Sequence, residues 1–140
     1  MTQENKELLL RDLSARLPYG VMARCEKEED SNIAKCVCMH INQEAVYTYK
    51  EVKGGNVTSL IPIEEVKVYL RPMSSMTEEE RVELREFCGT QPKLIHDIGV
   101  AGQIHSPGVI DFLNSHHFDY RGLIEKGIAI AVTEENNLYK

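Results

Sequence analysis

Leu9, Leu10, Leu13 and Leu17 recur at three- and four-residue spacing, with Lys6, Glu7, Arg11 and Asp12 between them. That is the period of an amphipathic helix, and it predicts one over Thr2 to Leu17. Pro18 disfavours helix at the residue before it, and Pro18-Tyr19-Gly20 turns the chain. From there the period changes to two. Val21, Ala23 and Cys25 alternate with Met22, Arg24 and Glu26, and a polar tip from Lys27 to Asn32 leads into Ile33 to Ile41. Asn42-Gln43 precedes the β-rich run Ala45 to Tyr49, and Lys53-Gly54-Gly55-Asn56 turns the chain into Val57 to Ile61. Short strands with turn signals at roughly ten-residue intervals predict an antiparallel meander. A sheet of this size curled on itself would make a small SH3-like barrel. Ile61 to Val66 reads as a one-turn connection, followed by a last strand at Val68 to Leu70.

Past this point the pattern is helical. Arg71 to Met76 is a linker, and Thr77-Glu78-Glu79-Glu80 is a capping box, in which the threonine hydroxyl and the third-position glutamate satisfy each other's backbone donors. The helix it opens is expected to carry Val82, Leu84 and Phe87 inward and to stop at Cys88-Gly89. Residues 90–105 read as loop. Ser106-Pro107 is a cap and first-turn signal for a helix through Leu113. Asp119 is placed to cap a further helix through Leu123 and Ile124 to Gly127. Ile128 to Val132 is a short strand or core-plugging segment, and Glu134 to Lys140 a polar tail. The resulting expectation is an α+β protein. Residues 1–72 form an N-terminal helix plus a small antiparallel sheet or SH3-like barrel, and residues 73–140 a helical part packed on it as one unit.

Composition narrows the classes. At 140 residues the chain can bury about two-thirds of its unfolded surface and needs no staples to fold. Its 42% apolar and 27% charged content is ordinary for a globular protein. No apolar run approaches the roughly 20 residues that span a bilayer. The start, Met-Thr-Gln-Glu-Asn-Lys, has neither the basic nor the apolar region of a signal peptide, so the expected address is cytoplasmic. Cys25, Cys36, Cys38 and Cys88 are then expected as reduced thiols. The net charge is −6 and neither half is basic, so direct nucleic-acid binding, which draws on cationic contacts, is disfavoured. An acidic surface still suits a partner protein.

Three groups of residues could carry chemistry. On a strand, Cys36, Cys38 and His40 would share one face, with Val37, Met39 and Ile41 on the core side. Cys25 on the neighbouring strand could join them, and thiolates plus an imidazole suit tetrahedral zinc. Against this, sulfurs two residues apart on a flat strand lie roughly 6–7 Å from each other, and buried cysteines often act as small hydrophobes. His116, His117 and Asp119, with His96, Asp97 and His105 upstream, could bind a metal or serve a hydrolase as acid and base. Histidines at a helix end more often answer the helix dipole. Tyr47 and Tyr49 share a strand face and could form a binding platform, better suited to protein than to single-stranded nucleic acid without basic neighbours. No Gly-x-Ser-x-Gly elbow and no phosphate-cradling glycine loop occurs.

Two stretches are distinctive: Tyr69-Leu70-Arg71-Pro72-Met73-Ser74-Ser75-Met76-Thr77-Glu78-Glu79-Glu80, and His117-Phe118-Asp119-Tyr120-Arg121-Gly122-Leu123-Ile124-Glu125-Lys126-Gly127. Together with Ala15-Arg16-Leu17-Pro18-Tyr19-Gly20-Val21, they resemble an uncharacterised family of gut bacteria and their phages and mobile elements. The resemblance covers the two ends and the middle hinge and brings no activity, ligand or catalytic residue with it. It implies a mobile-element setting. The function this suggests is that of a non-enzymatic interaction module, which binds another protein as an accessory of a phage or mobile element. A zinc-stabilised domain using Cys36, Cys38 and His40, and a hydrolase with a His/Asp site, are the alternatives.

Overall fold

Helix α1 (Gln3–Arg16) forms where the leucine period places it. Thr2 caps it, its hydroxyl accepting from the Asn5 amide at 3.1 Å. The structure, a computed structural model, describes residues 1–27, 33–40, 42, 44–88, 107–135, 138 and 139. After α1 a 3₁₀ turn at Leu17–Tyr19 ends on Gly20 in the left-handed region, φ +74°. A β-carbon there would also crowd the Lys35 side chain at 3.3 Å, so glycine suits both the turn and the close approach.

The expected strands follow as β1 (Met22–Cys25), β2 (Ala34–Met39), β3 (Ala45–Val52), β4 (Gly55–Pro62) and β5 (Val66–Leu70). They pair antiparallel, and β6 (Ala129–Ala131) adds to β5 in parallel, giving the order β4-β3-β2-β1-β5-β6. The sheet curls only as far as a half-barrel, with β4 and β6 as its two edges among the described residues, so it is an open sheet and not a closed barrel. The α+β class holds. The later part of the chain is not purely helical, because its strand β6 pairs Val68 with Ala129 and Leu70 with Ala131.

Leu9 and Leu13 of α1 are fully buried against Val21, Ala23, Val46, Ile63, Val66 and Val68 on the inner side of the sheet. Each such leucine contributes roughly 1.5–3 kcal/mol by leaving water. Leu123, Ile128 and Ala129 join the same core from the C-terminal part.

Helix α2 (Glu78–Cys88) opens with the expected capping box: the Thr77 amide donates to Glu80 Oε1 at 2.9 Å, and the Glu80 amide donates to Thr77 Oγ1 at 3.2 Å. Leu84 is fully buried, but Val82 is 48% exposed and faces out, contrary to the sequence expectation. Leu84 meets Val109, Phe112 and Leu113 of α3 (Pro107–Ser115), with Met76, Phe118 and Tyr120, in a second core cluster.

Two expectations for the C-terminal part need correction. Asp119 does not open a helix. Its carboxylate accepts from the amides of Leu123 at 2.8 Å and Ile124 at 3.0 Å, four and five residues on, where a helix cap would reach only two or three. Residues 120–127 are successive turns, with Gly122 and Gly127 both at φ +75°. Nor is the end of the chain simply a polar tail. The Tyr139 hydroxyl accepts from the Met22 amide at 2.8 Å and donates to the Tyr69 carbonyl at 2.7 Å, so it bridges β1 and β5 one pair beyond Ala23 and Val68. The tip at residues 28–32, the loop expected over 90–105, and Ser106 lie outside the described residues, as do the side chains of Phe87 and Cys88. Among the described residues no helix is long and apolar enough to cross a membrane.

Candidate functional site

The cysteine cluster is divided by a bulge. Cys36 faces Thr48 on β3 and Cys38 faces Tyr47, so Val37 is an extra residue on β2 and the side-chain phase inverts across it. Cys36 turns into the core at 1% exposure, and burial pushes its thiol up to about 12. Cys38 and Val37 are exposed, and Met39 packs partly on the core. The face expected to hold Cys36, Cys38 and His40 together therefore holds only the last two. His40 Nδ1 lies 2.7 Å from Asn42 Oδ1, and its ring leans on Tyr47 with centroids 5.8 Å apart. Cys25 sits half-buried on the inner side, 3.9 Å from Glu65 Oε2. Among the described residues no three His, Cys, Asp or Glu side chains gather as a metal would require.

The histidine group is also divided. His116 Nδ1 lies 3.2 Å from Glu80 Oε2 and its ring packs on Phe112 at 4.3 Å. His117 points the other way, stacked on the Tyr139 ring at 3.6 Å with its backbone in the left-handed region at φ +63°. Burial first, then the charges of Arg16, His116 and Arg71, bring its imidazole down to about 4, so it is neutral at pH 7. Asp119 is occupied with the turn it caps. His96, Asp97 and His105 lie outside the described residues.

These histidines border a buried polar centre where the distinctive stretches meet. Asp12 and Arg16, both fully buried on α1, pair at 2.8 Å, and Arg121 donates to the other Asp12 oxygen at 3.1 Å. Arg16 Nη2 donates to the Phe118 carbonyl at 2.6 Å, while Arg16 Nη1 and His117 Nδ1 have no hydrogen-bond partner among the described residues. The Tyr120 ring lies under both guanidiniums, and its hydroxyl donates to Asn114 Oδ1 at 2.9 Å. Nearby, Arg71 forms a bidentate pair with Glu80, both contacts 2.7 Å, and covers the Phe118 ring at 4.2 Å. The Arg71 hydrogen bond is the main reason the Glu80 carboxyl falls to about 2. The spacing Asp12–Arg16 was the available sequence signal for this centre. Its burial depended on partners more than a hundred residues away.

Among the described residues two open hollows occur, one between α1 and the Arg121–Lys126 turns and a larger one beside the β3–β4 hairpin. Tyr47 and Tyr49 do share its outer face, opposite Leu60 and Thr58 respectively, with Cys38 beside Tyr47 on β2. The Tyr49 hydroxyl is tied to Asn56 Oδ1 at 2.8 Å. Val57 and Leu60, 47% and 48% exposed, flank Thr58 and Ser59 on the edge strand. On the inner face of the same hairpin lies a groove of about 450 Å³, lined chiefly by Ala34, Thr48, Lys50, Val57, Ser59 and Ile61 and reaching Cys25 and Glu65, so it carries a cation and a carboxylate as well as apolar side chains. Lys27 pairs with Glu65 at 2.7 Å beside it.

Comparison with family models, with curated proteins and with solved structures gave no match.

Proposed function

We propose that this protein is a non-enzymatic interaction module, a cytoplasmic accessory of a phage or mobile element or of its host, that binds another protein through the β3–β4 hairpin. The observation that carries the reading is the character of β4. Seven of its eight residues are exposed, apolar side chains among them, beside a tyrosine-bearing face and an open groove. Exposed apolar surface rimmed by polar groups is typical of protein-binding surfaces. The division of the thiols and of the His116, His117 and Asp119 group among separate tasks favours binding over catalysis. The test is affinity capture with the full chain as bait in host lysate at physiological salt, followed by size-exclusion chromatography of bait with the purified candidate. The expected result is a reproducible partner that co-elutes in a fixed ratio. No reproducible partner sinks the reading.

A further inference from the structure

Strands β1 and β5 pair at Cys25↔Val66, Arg24↔Lys67 and Ala23↔Val68. The next two residues in register, Met22 and Tyr69, are joined through the Tyr139 phenol: the Met22 amide donates to its hydroxyl at 2.8 Å, and the hydroxyl donates to the Tyr69 carbonyl at 2.7 Å. Burial pushes this hydroxyl above its ordinary pKa, so it keeps the proton it donates. The Tyr139 ring lies flat on the His117 ring, centroids 3.6 Å apart and planes 15° from parallel. The walls around it are held by contacts that do not involve Tyr139. Tyr69 pairs with Ile130 of β6 on its other side. His117 is fixed by its amide, which donates to the Asn114 carbonyl at 3.1 Å, and by its carbonyl, which accepts from the Arg71 amide at 2.8 Å. Tyr139 itself is only part-buried, so its ring can leave toward solvent while the sheet stays paired.

We propose that the place Tyr139 fills is a phenol-recognition site, occupied by the chain's own tyrosine, that takes another phenolic group once Tyr139 is withdrawn. The guest's chemistry is that of the occupant already there: a flat ring to lie on His117, and one hydroxyl that accepts from Met22 and donates to Tyr69. An aromatic ring without the hydroxyl leaves a backbone donor and a backbone acceptor unsatisfied, which is costly in a buried place. A phenol esterified with phosphate has no proton for Tyr69 and brings charge between two strands, so it is refused. The phenol can come from a tyrosyl side chain of another protein or from a small free molecule, and both meet the same three groups. The site lies at the β1–β5 seam, separated from the β3–β4 hairpin by β2, so it does not rest on the hairpin reading. The competing fate of the emptied place is closure of the ladder, with the Met22 amide donating straight to the Tyr69 carbonyl.

The experiment titrates the full chain carrying Tyr139→Ala with p-cresol, the free analogue of the tyrosine side chain, and with toluene, which lacks only the hydroxyl. Amide NMR signals of Met22 and His117 report the site. Both signals are expected to shift saturably with p-cresol, which should bind about tenfold more tightly than toluene, the difference that satisfying the two backbone groups supplies. The parent, with Tyr139 in place, should respond to neither. A peptide spanning residues 134–140 and its Tyr139→Phe form separate the two sources. Binding of the tyrosine peptide but not the phenylalanine form supports a tyrosyl guest, and binding of p-cresol alone supports a free phenol. Should Tyr139→Ala be unfolded by circular dichroism, the same additions are read as regained folded signal, expected from p-cresol and not from toluene, because a ligand that binds only the fold draws the chain into it. The proposal is overturned by any of three results: no saturable shift or regained signal with p-cresol or the peptide, as ladder closure would give; equal affinity for toluene; or an equal response from the parent.

Discussion

Cys36 and Cys38 are identical in chemistry and two positions apart, yet the extra residue between them sends one thiol into the core and the other to solvent. Thiolate is the reactive form, and burial holds Cys36 far from forming it at neutral pH. Iodoacetamide at pH 7.5 should therefore label Cys38 in the native protein and Cys36 only after unfolding, read by peptide mass mapping. Native labelling of both would mean that the bulge is absent. Because the two sulfurs are separated, metal analysis of the purified chain should find less than about half an equivalent of zinc, well below the filling expected of a tight structural site. The Asp12–Arg16 pair gives a second residue-scale outcome. Asp12→Ala leaves a fully buried guanidinium without its carboxylate and should cost about 3–5 kcal/mol by urea titration. Replacing the pair together, Asp12→Leu with Arg16→Met, should recover more than half of that loss, since a buried ion pair often does no better than apolar packing. A double variant as unstable as the single one would show that the pair is irreplaceable.

At the scale of elements, the joint between β5 and α2 depends on Glu80, which closes the capping box, binds Arg71 in two places and meets His116. Glu80→Gln keeps the shape but loses the charge-assisted bonds and should cost about 1–3 kcal/mol. The loss should appear as faster amide exchange that is largest across α2. Uniform acceleration would refute this local role. The capping box was legible in the sequence because its partners are three residues apart. The leucine helix and the strands were legible for the same reason: their signals repeat within a few positions. The bulge at Val37 was not legible, since nothing in Cys36-Val37-Cys38 distinguishes it from regular alternation, and the register is set by β3. Strand β6 could be seen as an apolar run, but not its parallel pairing, which depends on β5 about sixty residues earlier. Tyr139 looked like tail because the two backbone groups that hold it are remote: Met22 lies 117 residues away along the chain and Tyr69 lies 70. The hairpin tyrosines were placed on the correct shared face, while the groove behind them arises from sheet curvature, which periodicity does not encode.

Across the whole molecule, the polar centre links α1, the β5–α2 joint, the turns after α3 and the C-terminal tyrosine, so its protonation state should govern the stability of the entire fold. Two groups of this centre are held below their ordinary range. His117 falls from 6.5 to about 4, mainly by burial, and Glu80 from 4.5 to about 2, mainly by its Arg71 hydrogen bond. In both cases the unfolded chain takes up its proton at higher pH than the fold does. Acid therefore favours unfolding, first between pH 6.5 and 4 through His117 and then between 4.5 and 2 through Glu80; above 6.5 both contributions are complete. From pH 7.5 to 5 the His117 contribution should fall by about 2 kcal/mol, because each pH unit below 6.5 at which only the unfolded chain is protonated removes about 1.36 kcal/mol. His117→Asn isolates it, because asparagine tolerates the left-handed backbone at this position and does not titrate. The variant will be less stable at pH 7.5, having lost the ring stacked on Tyr139. Its urea midpoint should nevertheless change less between pH 7.5 and 5 than that of the parent, while below pH 4 the two should lose stability in parallel through Glu80, protonated in the unfolded chain before the fold. Equal slopes for parent and variant across the upper window would mean that His117 is not held neutral in the fold, and the buried junction of tail, helix and sheet would have to be redrawn.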